Sequence, residues 1–288
     1  MDYIERFYRV LKYIESNLED DLSIGSLSGI ANLSKYHFHR QFSSLFGVGV
    51  SSYIKMLRMR KASYQLAFRD EIKVIDVALM NGYESSEAFS RAFKAFQGQS
   101  PRQFRNNPDW LSWHENKHSL NKLGLNNMMS RDFETKVEVV EFNEIRVAVI
   151  EHRGQPNLLM ETVKKFIAWR KENKLSPKIS RTFNIIFDDP NEVAPEDYRM
   201  NICCSVTAEI EKNNYGVYQD VIPGGRCAVV RCVGSDENID KAVRWMYAKW
   251  LPDSREELRD YHLFLERVKL FPDVSEREVI TDIFLPIK

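Results

Sequence analysis

Lys35, Tyr36, His39, Arg40 and Ser43 fall at a spacing that gathers them on one side of a helix. Ser86, Glu87, Ser90, Arg91 and Lys94 make a similar group about 51 residues later. The chemistry open to such a face is nucleic-acid reading. A guanidinium can donate two hydrogen bonds to guanine O6 and N7. Tyrosine and serine suit a phosphate or a thymine methyl. The opposite side of each stretch is apolar, with Phe38, Phe42 and Leu45 in the first and Phe89, Phe93 and Phe96 in the second, so each face has a core to stand on.

Other chemistry is less well supported. His114-Glu115-Asn116-Lys117-His118 fits H-E-x-x-H, which binds zinc when two histidines on a buried helix face one metal and the glutamate works on bound water. Here the surroundings are polar, and the match reads as chance. Cys203, Cys204, Cys227 and Cys232 contain no C-x-x-C pair, so they read as reduced thiols in or near strands. There is no Ser-His-Asp arrangement, phosphate-binding loop or dinucleotide fingerprint. The expectation is therefore a protein that is not an enzyme and needs no cofactor or metal.

The elements that must carry the two polar faces can be read nearby. A short helix over about 24–31, a turn at Asn32-Leu33 and a capping Ser34 lead into a second helix over 35–46. The order recurs as a helix over about 72–80, a turn at Asn81-Gly82-Tyr83 and a capping Ser85. An amphipathic stretch from about Ser51 to Phe68 lies between, carrying Lys55, Arg58, Arg60 and Lys61. Two short helices, the second with a basic outer face, make a helix-turn-helix unit that fits a major groove. The repeat is explicit. Ser34…Phe38-His39-Arg40-Gln41-Phe42…Gly47 returns as Ser85…Phe89-Ser90-Arg91-Ala92-Phe93…Gly98, and Tyr53 matches Phe104.

Residues 4–107 resemble the AraC/XylS DNA-binding domain, most closely the MarA/SoxS/Rob subgroup. Ser34 to Phe42 is similar to its first recognition helix. Gly82-Tyr83-Glu84-Ser85-Ser86…Phe89-Ser90-Arg91-Ala92-Phe93-Lys94…Ser100-Pro101-Arg102-Gln103-Phe104-Arg105 carries the most diagnostic stretch. The resemblance implies a double-stranded DNA operator read in two successive major grooves, with RNA polymerase as a further partner. Its implied base readers are Tyr36, His39 and Arg40, then Ser86, Glu87, Ser90 and Arg91, beside Lys35. Glu87 fits only by accepting from a cytosine N4 or by facing solvent, because phosphate repels it.

Residues 111–131 are polar and weakly periodic, so 108–134 reads as a linker between a domain over 1–107 and a second over 135–288. From Val137 short β-branched runs alternate with helical stretches over 158–173 and 237–250, an α+β pattern. A second repeat, offset by 80, relates Arg146-Val147-Ala148-Val149-Ile150…Gly154 to Arg226-Cys227-Ala228-Val229-Val230…Gly234. Each copy reads strand–helix–strand–strand. Two such copies in pseudo-twofold arrangement leave a groove, where Phe166, Trp169, Phe187, Tyr198, Trp245, Tyr247, Trp250, Tyr261 and Phe264 supply aromatic surface for planar or cationic ligands.

This half resembles the GyrI-like family, the effector-binding domain of Rob and related multidrug regulators. The stretches that carry the likeness are Asp188-Asp189-Pro190…Glu196-Asp197-Tyr198-Arg199, Ile222-Pro223-Gly224-Gly225-Arg226, Trp250-Leu251-Pro252 and Ile283-Phe284-Leu285-Pro286-Ile287-Lys288. The resemblance implies a small-molecule effector, lipophilic or cationic, held by an acidic residue that falls on Glu266, with Tyr247, Trp250, Phe264 and Phe187 around it. Arg267 is the alternative partner for that carboxylate. Some relatives hydrolyse small molecules, so a GyrI-like hydrolase or sequestering protein using Glu266 and Tyr247 is the competing reading.

Charge agrees in a mild way. The chain has 41 Lys+Arg and 41 Asp+Glu, but residues 1–110 hold 15 of the former and 12 of the latter. The basic excess sits where nucleic acid is expected. The N-terminus lacks a basic and apolar leader, and no apolar run spans a bilayer, so a cytoplasmic location without membrane contact is expected.

Overall fold

In the computed structural model, residues 3–121, 136–190 and 192–288 are described. The chain divides into two compact units, Met1–Arg131 and Asp132–Lys288.

The first unit is helical: α1 (Tyr3–Ser16), α2 (Ile24–Ile30), α3 (Lys35–Phe46), α4 (Val50–Phe68), α5 (Val74–Met80), α6 (Ser86–Gln97), α7 (Pro101–Asn106) and α8 (Trp110–Asn121). The starts follow capping chemistry. Ser23 accepts from the backbone N–H of Ser26 at 3.1 Å, Ser34 from His37 at 3.3 Å and Ser85 from Ala88 at 3.2 Å. Both α3 and α6 stop at a glycine, Gly47 and Gly98. Phe7 stacks on Phe38 at 5.9 Å and meets Phe42 and Phe46 at 6.3 and 6.0 Å, so α1 closes over α3. The buried stripe of α3 is Phe38, Phe42 and Phe46, whereas the sequence suggested Leu45, which is half-buried. In α6 the third buried position is likewise Gln97 and not Phe96.

α4 joins the two halves of this unit, and most of its basic residues work inward. Arg58 donates to the carbonyls of Leu18 and Asp20 at 2.9 and 2.8 Å, Lys61 pairs with Glu19 at 2.8 Å, and Arg60 is buried. Lys55 remains exposed. The segment read as linker begins instead with α8. Trp110 and Trp113 are buried, Trp113 donates to the Ser63 hydroxyl at 2.9 Å, and Trp110 stacks on Phe68 at 5.8 Å. Two indoles removed from water outweigh the polar composition around them. The rest of the expected linker, residues 122–134, lies outside the described residues, as do residue 135 and the side chain of His118 in the H-E-x-x-H match.

The second unit is one antiparallel sheet with helices on one face. Its elements are β1 (Val137–Phe142), β2 (Ile145–Arg153), α9 (Leu159–Glu172), β3 (Thr182–Ile186), β4 (Arg199–Ser205), β5 (Tyr218–Ile222), β6 (Gly225–Val233), α10 (Asp236–Trp245), α11 (Leu251–Ser254), β7 (Phe264–Lys269) and β8 (Ile280–Pro286). Each repeat thus carries one more leading strand than the sequence suggested. The strand order is β1-β6-β8-β7-β3-β4-β2-β5, so β1 and β5 cross over to pair with the opposite repeat. The pseudo-twofold axis passes between β3 and β7, through the opposed pair Asn184 and Leu265.

Strand alternation divides the core. Ala228, Val230, Leu265, Ile283 and Leu285 pack with Met246 beneath α10, and Ala148, Ile150, Ile202 and Cys204 pack with Phe166 and Trp169 beneath α9. Phe142, Val147, Val149, Phe183, Ile185, Cys203, Phe264 and Phe284 form a separate cluster on the helix-free face. All four cysteines are free and buried, and burial pushes their thiols upward, that of Cys232 to about 11.

Candidate DNA-reading and ligand-binding surfaces

On α3, Lys35, Tyr36, His39, Arg40 and Ser43 are exposed, while Phe38 and Phe42 opposite them are fully buried. Arg40 Nη1 donates to the Tyr36 hydroxyl at 2.7 Å, and its guanidinium lies 5.7 Å from that ring centre. The pair is a preformed polar ridge one helical turn long. On α6, Glu87, Arg91 and Lys94 are exposed and Ser86 and Ser90 half-exposed, again opposite fully buried Phe89 and Phe93. Glu87 sits in the first turn of α6 and accepts from the Ser86 hydroxyl at 3.2 Å. The helix backbone first, then Ser86, and more weakly Arg91, hold its carboxyl below the usual range.

In the second unit, the helix-free face brings together residues far apart in sequence. Phe264 and Phe284 stack at 4.8 Å with an interplanar angle of 4°, and Phe142 sits edge-on to them at 5.0 and 5.3 Å. Phe183 closes the group at 6.4 Å from Phe142. Glu266 is two residues after Phe264 and opposite both Phe183 and Asp282 in the strand register, which puts it on this same face. Its side chain is 15% exposed. Both of its oxygens accept from one guanidinium, that of Arg181, at 2.7 Å each. Arg181 also lies 5.0 Å from the Phe183 ring centre and 5.8 Å from that of Phe142. Beside it Arg231 pairs in the same bidentate way with Asp282, at 2.7 Å twice. Hydrogen bonding to these carboxylates raises the affinity of both arginines for their protons. Tyr261 packs against the same cluster, and burial pushes its phenol up to about 12.

The expected ligand residues divide between the two faces. Glu266, Phe264 and Phe187 belong to the helix-free face, with Phe187 edge-on to His262 at 4.5 Å. Trp250 packs under α10 on the other face, and Tyr247 sits in the turn Met246–Trp250 that continues α10. The sheet therefore separates that turn from Glu266. Among the other aromatics suggested for the groove, Phe166, Trp169 and Tyr198 belong to the α9 core and Trp245 to the α10 core; Tyr261 belongs with Phe264. Arg267 does not pair with Glu266. It faces the helix side, donating to Asn184 at 2.9 Å and Asp236 at 2.8 Å.

Sequence reasoning missed Arg181, Phe142, Phe183, Phe284 and the pair Arg231–Asp282. Alternation in Arg181-Thr182-Phe183 hints that Arg181 and Phe183 share a face. The partner 85 residues away is set only by the β3–β7 register. In turn, the resembling stretch Asp188…Arg199 proves to be an ion pair at 3.0 Å, which ties the end of β3 to β4.

Residues 27–107 match a helix-turn-helix domain family, and residues 135–288 match the GyrI-like small molecule binding domain. The "Probable transcriptional regulator YgiV" of Escherichia coli strain K12 is 41% identical over 152 residues, which is 52% of this chain and 95% of that protein. The "Uncharacterized HTH-type transcriptional regulator YbfP" of Bacillus subtilis strain 168 is 35% identical over 105 residues, 36% of this chain and 35% of that protein. The crystal structure of the EcmrR C-terminal domain covers 54% of this chain and 99% of its own at 15% identity, with a TM-score of 0.45. With its curled antiparallel sheet and paired repeats, the chain belongs to the GyrI-like small-molecule-binding family, and it carries an AraC-type helix-turn-helix domain ahead of that fold.

Proposed function

We propose that this DNA-binding transcription regulator takes a lipophilic effector on the helix-free face of its second unit and reads DNA with α3 and α6. The observation that carries the effector site is the meeting of Phe142, Phe183, Phe264 and Glu266 on that face. Aromatic faces attract cations and flat apolar groups, and the carboxylate beside them, on a side chain 15% exposed, attracts positive charge. Tyr36, His39, Arg40, Ser86, Glu87, Ser90 and Arg91, with Lys35, form the DNA-facing set. They would address one asymmetric site of roughly 20 bp, since two unlike units already sit in one chain. We take the protein to be non-catalytic. Glu266 has both oxygens engaged by Arg181, and Tyr247, its expected partner in hydrolysis, stands on the helix side of the sheet. The relatives named as transcriptional regulators favour the same reading. RNA polymerase is part of this proposal as a partner of the DNA-bound protein. The division into a DNA unit, a junction within 108–134 and an effector unit from 135 belongs to this proposal. No helix among the described residues is long and apolar enough to cross a membrane.

The test has two arms. Genomic fragments retained by the purified chain are sequenced with and without lipophilic ligands, and a shared motif whose recovery changes with ligand is the expected result. Glu266→Gln is then titrated with a lipophilic cation and its neutral isostere. Loss confined to the cation, on the order of 1–3 kcal/mol for a charged hydrogen bond left unmade, supports the site. Equal loss for both, or none, moves the ligand chemistry elsewhere.

A further inference from the structure

The cation that Glu266 and the aromatic rings are built to hold is already there. The Arg181 guanidinium makes two 2.7 Å contacts to the carboxylate and lies over Phe183 and Phe142 at 5.0 and 5.8 Å. Those are the contacts that an incoming organic cation would need. The neighbouring carboxylate, Asp282, is closed in the same manner by Arg231. The carboxylates of Glu266 and Asp282 are thus each neutralised by an arginine already in place, and a cation from solution finds neither of them free.

We propose that Arg181 is a resident cation that sets the ligand specificity of this site: organic cations bind only by exchanging with its guanidinium. The backbone of Arg181 is fixed, since its N–H donates to the Ser205 hydroxyl at 2.9 Å and its carbonyl accepts from the Ser205 N–H at 2.9 Å. The side chain is 48% exposed. Exchange therefore requires only a swing of the side chain into water, with no strand displaced. Exchange also costs affinity, because the ligand-competent state is a minor population until the guanidinium leaves. A neutral aromatic ligand cannot replace the guanidinium on the carboxylate, so it gains no ion pair when Arg181 leaves. The site so built admits a cation only when its ring and charge contacts exceed those of Arg181.

This inference rests on the effector site proposed above, and the experiment separates the two. Phenyltrimethylammonium and its neutral isostere tert-butylbenzene are titrated by ligand-observed NMR into the full chain and into Arg181→Met, which keeps the aliphatic stem on the rings and removes the charge. The expected result is a gain of roughly tenfold for the cation, the scale of one half-exposed ion pair with its ring contact, and little change for tert-butylbenzene. Adding Glu266→Gln to Arg181→Met should erase the gain. Arg181→Lys, which keeps charge but loses the planar two-point contact, should give a smaller gain of the same sign and serves if Arg181→Met fails to fold. If Glu266→Gln alone weakens the cation but neither Arg181 variant strengthens it, the site stands and the role of Arg181 is overturned. If no variant shows Glu266-dependent cation binding, the effector site falls and this inference falls with it.

Discussion

Replacing Arg40 or Arg91 by alanine should damage DNA reading while leaving the fold almost untouched. Both guanidinium groups are on the exposed sides of their helices, and the hydrogen bond of Arg40 to Tyr36 is itself at the surface. Surface changes of this kind shift stability by about 0.5 kcal/mol or less. A bidentate arginine–guanine contact is worth about 1–3 kcal/mol, or roughly 5- to 150-fold in affinity. Arg40 must leave the Tyr36 hydroxyl to reach a base, which offsets part of its gain and sets its loss toward the lower end. The two residues belong to separate helix-turn-helix units, so the double variant should lose about the sum. Affinity is measured by fluorescence anisotropy on a site selected from the retained fragments and on a shuffled site, with chemical denaturation as the stability control. Lys55→Ala, on the solvent side of α4, should weaken both DNAs alike and lower the salt slope by about one. Should both arginine variants keep wild-type preference for the selected site, the assignment of α3 and α6 as reading helices is wrong.

Three further outcomes follow from the same geometry. Binding to the selected site should weaken steeply between about 50 and 200 mM salt, as phosphate neutralisation requires, and a flat response would contradict DNA reading. Gly82→Ala should cost about 1–3 kcal/mol in denaturant unfolding, because φ is +72° there and a Cβ would stand 2.5 Å from the Arg58 guanidinium. That guanidinium holds the Leu18 and Asp20 carbonyls, so the cost should shrink in an Arg58→Ala background. Stability should fall as pH rises from about 10 to about 12, and fall less in Tyr261→Phe. Burial keeps this phenol protonated up to about 12, whereas the unfolded chain releases the proton near 10.0, so within that window alkali favours unfolding. Equal slopes in the two proteins would show that Tyr261 is not a source of the alkaline loss.

The local part of this protein is legible in its residues alone. Serine caps, phenylalanines three and four apart and terminal glycines are short-range signals, and α2, α3, α5 and α6 lie within two residues of where those signals set them. The two internal repeats, and the α+β character after residue 135, were legible for the same reason: each unit repeats its own short-range pattern. Where long-range packing decides, reading along the chain stopped short. Trp110 and Trp113 draw a polar stretch into α8, since burying two indoles outweighs local composition. Strands β1 and β5 pair with the opposite repeat, and the face of each aromatic depends on that crossed register, so Trp250 and Phe264 ended on opposite sides of one sheet. Glu266 was readable as a carboxylate in a strand. Its partner, Arg181 and not the adjacent Arg267, was not, because alternation turns sequence neighbours to opposite faces, while the β3–β7 register brings a residue 85 positions away within 2.7 Å.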